Sequence, residues 1–132
     1  MIQTMGTHEY KGGCHCQSIR YQINLKQSIE FSEITLCNCS ICEKFGYLHL
    51  IIPKPQFKLC SDWNLLENYQ FNKKIAKHLF CKKCGVKSFY QPRSHPDCWS
   101  INVRCIDNFS QLNLRVNNFD GKNWKKNIES IR

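Results

Sequence analysis

The chain has 132 residues, 42% apolar and 22% charged, with 19 Lys and Arg against 10 Asp and Glu for a formal charge of +9, a composition for one folded domain and not a disordered tract. No apolar run approaches the ~18 residues that cross a bilayer, and the opening Met1-Ile2-Gln3-Thr4-Met5-Gly6-Thr7-His8 has neither the basic nor the apolar region of a secretory leader. Transmembrane, secreted and collagen-like classes are excluded on this reading, and the expectation is a single domain over residues 1–132 in the cytoplasm, with nuclear access left open.

Along the chain the recurring pattern is alternation with a period of two, the signature of half-buried strands. Ile19, Tyr21, Ile23 and Leu25 alternate with Arg20, Gln22 and Asn24, which predicts a strand. Residues 40–45 predict a single helical turn stopped by Gly46. Residues 47–52 run apolar up to Pro53, as in a strand covered on both faces. Leu65, Tyr69 and Phe71 share parity, as do Ile75, Leu79 and Cys81. Residues 86–91 predict a short strand ended by Pro92. Trp99, Ile101, Val103 and Cys105 alternate with polar neighbours, and so do Leu112, Leu114 and Val116. No segment has the pattern of a three-turn helix. Many short strands with polar turns and little helix indicate an all-β fold, and in so small a β domain metal cross-links stabilise what a limited core cannot.

Ten cysteines supply the ligands for such cross-links. In a reduced compartment clustered thiols point to metal or redox chemistry before disulfides. Seven lie in three tight groups: Cys14-His15-Cys16, Cys37-Asn38-Cys39-Ser40-Ile41-Cys42 and Cys81-Lys82-Lys83-Cys84. On an extended chain Cys14 and Cys16 project from one face while His15 points away, with Gly12-Gly13 allowing a sharp turn before them. Cys81 and Cys84 converge on a tight turn that Gly85 closes with a positive φ. Together these two pairs offer four thiolates, the closed tetrahedral set of a structural zinc.

The middle group has three thiolates. Either one coordination position stays open, as in a catalytic zinc, or a histidine (His15, His49, His78 or His95) or a lone cysteine (Cys60, Cys98 or Cys105) closes it. The apolar parity around Cys60 and Cys105 predicts small buried side chains, and Cys98 beside Trp99 is left without a role. Seven thiolates on two dications lower the net charge to about +6. That suits anionic partners, with at most weak, non-specific nucleic-acid contact, and the dispersed lysines (Lys73, Lys74, Lys77, Lys82, Lys83, Lys87, Lys122, Lys125 and Lys126) predict a solvated basic face.

Three stretches, Gly13-Cys-His-Cys-Gln-Ser-Ile-Arg-Tyr, Cys37-Asn-Cys-Ser-Ile-Cys-Glu-Lys and Phe80-Cys-Lys-Lys-Cys-Gly-Val-Lys-Ser-Phe-Tyr-Gln-Pro-Arg-Ser, resemble the glutathione-dependent formaldehyde-activating enzyme family, specifically its centromere protein V-like branch. Tyr69-Gln-Phe-Asn72, Asn102-Val-Arg-Cys-Ile-Asp107 and Phe119-Asp-Gly-Lys-Asn-Trp124 extend the resemblance over about residues 12–124. It implies an Mss4-like fold of several small antiparallel sheets held by zinc. It also implies a partition of ligands: Cys14, Cys16, Cys81 and Cys84 on a structural zinc, and Cys37, Cys39 and Cys42 on a second zinc, two ions per chain. The namesake reaction implied is a carbon–sulfur lyase step, formation of S-hydroxymethylglutathione from glutathione and formaldehyde. Gln17 stands where the family favours glycine, and His95 and Cys98 lie in a loop where it favours Asn and Gly, positions where substrate preference could change. Centromere protein V carries a long basic extension, whereas 13 residues precede Cys14 here, so no chromatin or microtubule role is expected.

Three thiolates on Zn²⁺ carry a net negative charge, which makes the ion a weak Lewis acid but a good seat for a fourth, thiolate sulfur. The expected mechanism therefore places a substrate sulfur at Cys37, Cys39 and Cys42, with Arg93 gripping a carboxylate of a small thiol such as glutathione and His95 as a candidate proton shuttle. The rival classes are a non-catalytic zinc-stabilised binding module and a redox or metal-buffering protein. Oligomeric state has no signal in the sequence.

Overall fold

The computed structural model describes residues 8–70 and 76–119. Among the described residues ten strands make three small sheets, joined by one short helix and several 3-10 turns. β1 (His8–Gly13), β2 (Arg20–Leu25) and β5 (Phe57–Leu59) form an antiparallel sheet with β2 in the centre. β3 (Ile34–Cys37), β4 (Leu48–Pro53), β8 (Phe89–Tyr90), β9 (Cys98–Asn102) and β10 (Val116–Phe119) form a second, in the order β10-β3-β4-β9-β8. β6 (Leu66–Tyr69) and β7 (His78–Cys81) are a two-stranded ribbon. The fold is all-β as expected, with one exception to antiparallel pairing: β10 runs parallel to β3.

Alternation along β2 behaves as the pattern demands, with Tyr21, Ile23 and Leu25 buried and their polar neighbours half-buried. The five-stranded sheet is the element that builds a site. Residues paired directly across strands share a face. Leu36 faces Leu48, Leu50 faces Ile101, and Phe89 faces Ile101, so these side chains enter the hydrophobic core with Ile34, Ile52 and Val103. The opposite parity carries Thr35 and Cys37 on β3, His49 on β4, Ser100 on β9 and Tyr90 on β8. One face of the sheet is core and the other carries the polar residues, with the largely apolar β4 buried at Leu48, His49, Leu50 and Ile52 alike.

Several expectations are corrected. The alternation of residues 99–105 does not continue as strand: β9 ends at Asn102, whose side chain accepts a hydrogen bond from Arg104 N at 3.2 Å and starts a 3-10 turn. Residues 112–115 lie outside any strand, and only Val116–Phe119 pairs. β1, β3 and β5 have no run of alternation long enough to announce them. Phe71, Ile75 and residues 120–124 lie outside the described residues.

Gly12 and Gly13 do not serve a turn. They end β1, where a Cβ on Gly12 would stand 2.5 Å from the Cys105 carbonyl and 2.6 Å from the Tyr21 hydroxyl, and one on Gly13 would stand 2.0 Å from the Ile19 carbonyl. The turn at Cys14 is made instead by exposed Gln17, at φ 67°, whose N–H donates to the Cys14 carbonyl at 3.2 Å. Left-handed backbone burdens any side chain with a Cβ. Gln17→Gly is therefore expected to raise stability by about 0.5–1 kcal/mol, read as a higher thermal midpoint with unchanged metal content.

Candidate metal centres and the cavity beside them

Two groups of cysteine sulfurs assemble, each with its ligand atoms within 4.8 Å of one another: Cys14, Cys16, Cys81 and Cys84, and Cys37, Cys39 and Cys42. A tetrahedral zinc with Zn–S bonds of about 2.3 Å sets sulfurs about 3.8 Å apart. Cys14 Sγ lies 3.6 Å from Cys16 Sγ, which lies 3.7 Å from Cys81 Sγ, so the first group fits that shell. Cys14 and Cys16 come from the turn after β1, and Cys81 and Cys84 from the end of β7. Gly85 closes the second turn at φ 79°, its N–H donating to the Cys81 carbonyl at 2.9 Å. Backbone N–H groups also point at sulfur, Ile19 N at Cys14 and Lys83 N at Cys81, each at 3.3 Å. Those contacts favour thiolate character, as metal ligands require. Cys16 is pulled down to about 6 by hydrogen bonds from Ser18, while burial pushes Cys14 up to about 12.

The second group is gathered at one junction. Cys37 ends β3, Cys39 precedes the helix α1 (Ser40–Phe45), and Cys42 lies within it. Gly46 terminates the helix in left-handed conformation, and the Arg104 guanidinium holds the Gly46 carbonyl at 3.0 Å. Cys39 N donates to Cys37 Sγ at 3.4 Å. Hydrogen bonds from Cys37 and Cys42 hold the Cys39 thiol down to about 2, and Cys42 is pushed far up by Cys37, by Cys39 and by burial. Three sulfurs so close compete for negative charge, which a dication would relieve.

His49 is the neighbour that sequence reasoning offered as a closing ligand. Its Nε2 stands 3.3 Å from Cys42 Sγ, yet the mutually close group comprises the three sulfurs without it. Nδ1 lies 2.9 Å from the Ser100 hydroxyl and 3.4 Å from the Tyr90 hydroxyl. The ring is thus held at Nδ1 by the Ser100 and Tyr90 hydroxyls, each of which can donate or accept, while Nε2 faces the Cys42 sulfur. Burial, then the Lys87 charge, lowers His49 to about 3, so the ring is neutral near pH 7. Tyr47 donates to the Ser100 carbonyl at 2.5 Å and packs edge-on against Tyr90.

A cavity of about 1060 Å³ opens on this side of the sheet. Cys37, Cys39, Cys42, Arg93, His95 and Cys98 are on its wall, whereas none of the four sulfurs of the first group is. The loop residues His95 and Cys98 thus share this cavity with the three-cysteine group, with His95 Nδ1 2.7 Å from the Ser94 hydroxyl. Gln17 does not line this cavity and belongs to the turn of the four-cysteine group.

Other expectations fail. Cys60 is exposed, not a buried hydrophobe, while Cys105 is half-buried against the core. Lys87 is not part of a solvated face: it is 3% exposed, with Nζ 2.6 Å from His78 Nδ1. Ser100, Tyr47 and Tyr90 each read alone as ordinary strand residues, and only the folded sheet brings them beside His49. No helix among the described residues is long and apolar enough to cross a membrane.

Comparison with known proteins accords with this geometry. The family model described as glutathione-dependent formaldehyde-activating enzyme matches residues 9–122. The chain belongs to that family. A crystal structure of a Rhodobacter sphaeroides protein from a structural-genomics programme is similar, with a TM-score of 0.69 and 26% sequence identity over 81% of this chain and 99% of that one. The family match spans all three cysteine motifs, so the paired clusters and the cavity belong to the part of the chain that this formaldehyde-activating family defines.

Proposed function

We propose that this protein is a zinc-dependent carbon–sulfur lyase acting on a thiol adduct such as S-hydroxymethylglutathione, with two zinc ions per chain. The observation that carries the reading is the unequal pair of clusters: four sulfurs away from the cavity, and three on its wall. Cys14, Cys16, Cys81 and Cys84 would hold the structural ion and Cys37, Cys39 and Cys42 the other. When bound there, zinc supplies a seat for one further sulfur and keeps that sulfur deprotonated at neutral pH.

The remaining work falls to this chain's own side chains. In the adduct-forming direction the thiol sulfur bonds to the aldehyde carbon, the C=O becomes C–OH, and the thiol proton ends on that oxygen. The reverse step breaks the same S–C bond and returns the aldehyde and thiol. His49 would steady the Cys42 sulfur through its Nε2 contact and, being neutral, adds no competing charge. Arg93 on the cavity wall is suited to grip a glutathione carboxylate in bidentate fashion. His95, beside Ser94 on the same wall, would carry the proton between sulfur and oxygen.

X-ray absorption at the zinc edge tests the reading. With one four-sulfur and one three-sulfur shell, the mean is about 3.5 sulfurs per zinc, and glutathione is expected to raise it to about 4. A count that glutathione does not change would overturn sulfur capture.

A further inference from the structure

Lys87 is a buried cation with no carboxylate within ion-pair distance among the described residues. Its ammonium lies 2.6 Å from His78 Nδ1, 3.9 Å from the Tyr90 ring centroid and 5.0 and 5.1 Å from the rings of Phe45 and Tyr47. Each of these neighbours is uncharged: His78 is lowered to about 4 by burial and by Lys87 itself, and Tyr90 and Tyr47 are raised well above their usual range by burial. A buried charge without an opposing one is costly, by several kcal/mol as an order of magnitude. Burial lowers Lys87 to about 8, and the acidic groups that oppose this shift are Cys42 and Cys39 of the three-cysteine group. Lys87 does not line the 1060 Å³ cavity, whereas His78 and Tyr90 do, so seen from that cavity it stands behind them, facing a smaller recess that it shares with Phe45 and His78.

We infer that Lys87 is a positioning residue that balances the charge of the three-cysteine site from behind, and so sets that site's preference for an anionic sulfur over a neutral ligand. This rests on the proposed thiol-capturing role. Three thiolates and a dication carry about one net negative charge, and a captured thiolate makes it about two, in surroundings that water screens poorly. A fixed cation nearby offsets the added charge. A neutral fourth ligand adds none, so the cation gives it no advantage. The Lys87–Tyr90 contact also ties the cation to the hydroxyl that reaches His49, which keeps it registered with the Cys42 sulfur.

The test uses full-length protein with cobalt(II) in both sites, titrated with glutathione, 2-mercaptoethanol and imidazole. Sulfur-to-cobalt charge-transfer absorption reads the thiols, and visible ligand-field bands read imidazole. In K87Q both thiols are expected to bind about tenfold more weakly while imidazole binding is unchanged, and K87R is expected to recover most of the loss. Unchanged thiol affinity in K87Q overturns the inference. A loss confined to glutathione overturns it too, by showing direct contact with the tripeptide's carboxylates, and an equal loss for imidazole shows general damage to the site. If K87Q does not hold two cobalt ions, K87M is measured in its place, and failure of both marks Lys87 as structural and overturns the inference. Wild-type protein that binds neither thiol sinks the capture reading together with this inference, and is told apart because it appears before any substitution.

Discussion

Cys39→Ser is expected to hold one zinc ion per chain instead of two, to lose glutathione binding, and to lose turnover by on the order of 10³-fold, while the domain stays folded. Cys39 is the member of its trio held most firmly as a thiolate, and it stands where β3 hands over to α1. A serine hydroxyl there cannot supply the negative charge that the ion needs. The local backbone has other support: β3 pairs with both β4 and β10, and Arg104 holds the end of the helix at Gly46. The loss is thus chemical more than structural. Metal analysis beside a thermal melt checks it, and a variant that kept two zinc ions and wild-type thiol affinity would contradict it.

Cys84→Ser is expected to have the opposite character, with the cooperative melting transition abolished near room temperature. The four-cysteine group joins the turn after β1 to the end of β7, ligands separated by 65 residues between Cys16 and Cys81. Binding free energies at small structural zinc sites run to about 10–16 kcal/mol, more than the whole stability of most domains this size. Cys14 and Cys81 are also part of the hydrophobic core, so disorder at the metal spreads directly into packing. Near-ultraviolet circular dichroism would report the collapse. Cys60→Ser, at an exposed cysteine outside both groups, is the control and is expected to melt like the parent. A Cys84→Ser protein that melted within a few degrees of wild type would remove the structural role from the cluster.

Much of this was legible in the sequence because ligand spacing is a local property. Cys81-Lys82-Lys83-Cys84-Gly85 encodes its own turn, and the positive φ of Gly85 follows from residue type. The helix at Cys42 and its stop at Gly46 were readable for the same reason. What stayed hidden depends on register. His49 is one residue in an apolar run, Ser100 one polar position in an alternating strand, and Tyr90 one aromatic before Gln91. Their meeting around Cys42 needs the pairings of β4 with β9 and β8 with β9. Lys87 was misread because a lysine near a metal turn is ordinarily solvated, and nothing local shows that the rings of Tyr90, Tyr47 and Phe45 enclose it. The Gly12-Gly13 pair was read as a turn because glycine permits one, whereas the structure uses it for close approach of Cys105 and Ile19 carbonyls.

The claim on which all of this depends is that the seven clustered cysteines form two metal centres and not one centre plus a patch of free thiols. Native mass spectrometry of the intact chain, purified without added metal or chelator, measures that directly. The account predicts a dominant species carrying two zinc ions, reduced to one in Cys39→Ser. A wild-type chain carrying a single zinc, with Cys37, Cys39 and Cys42 all open to alkylation, would contradict it.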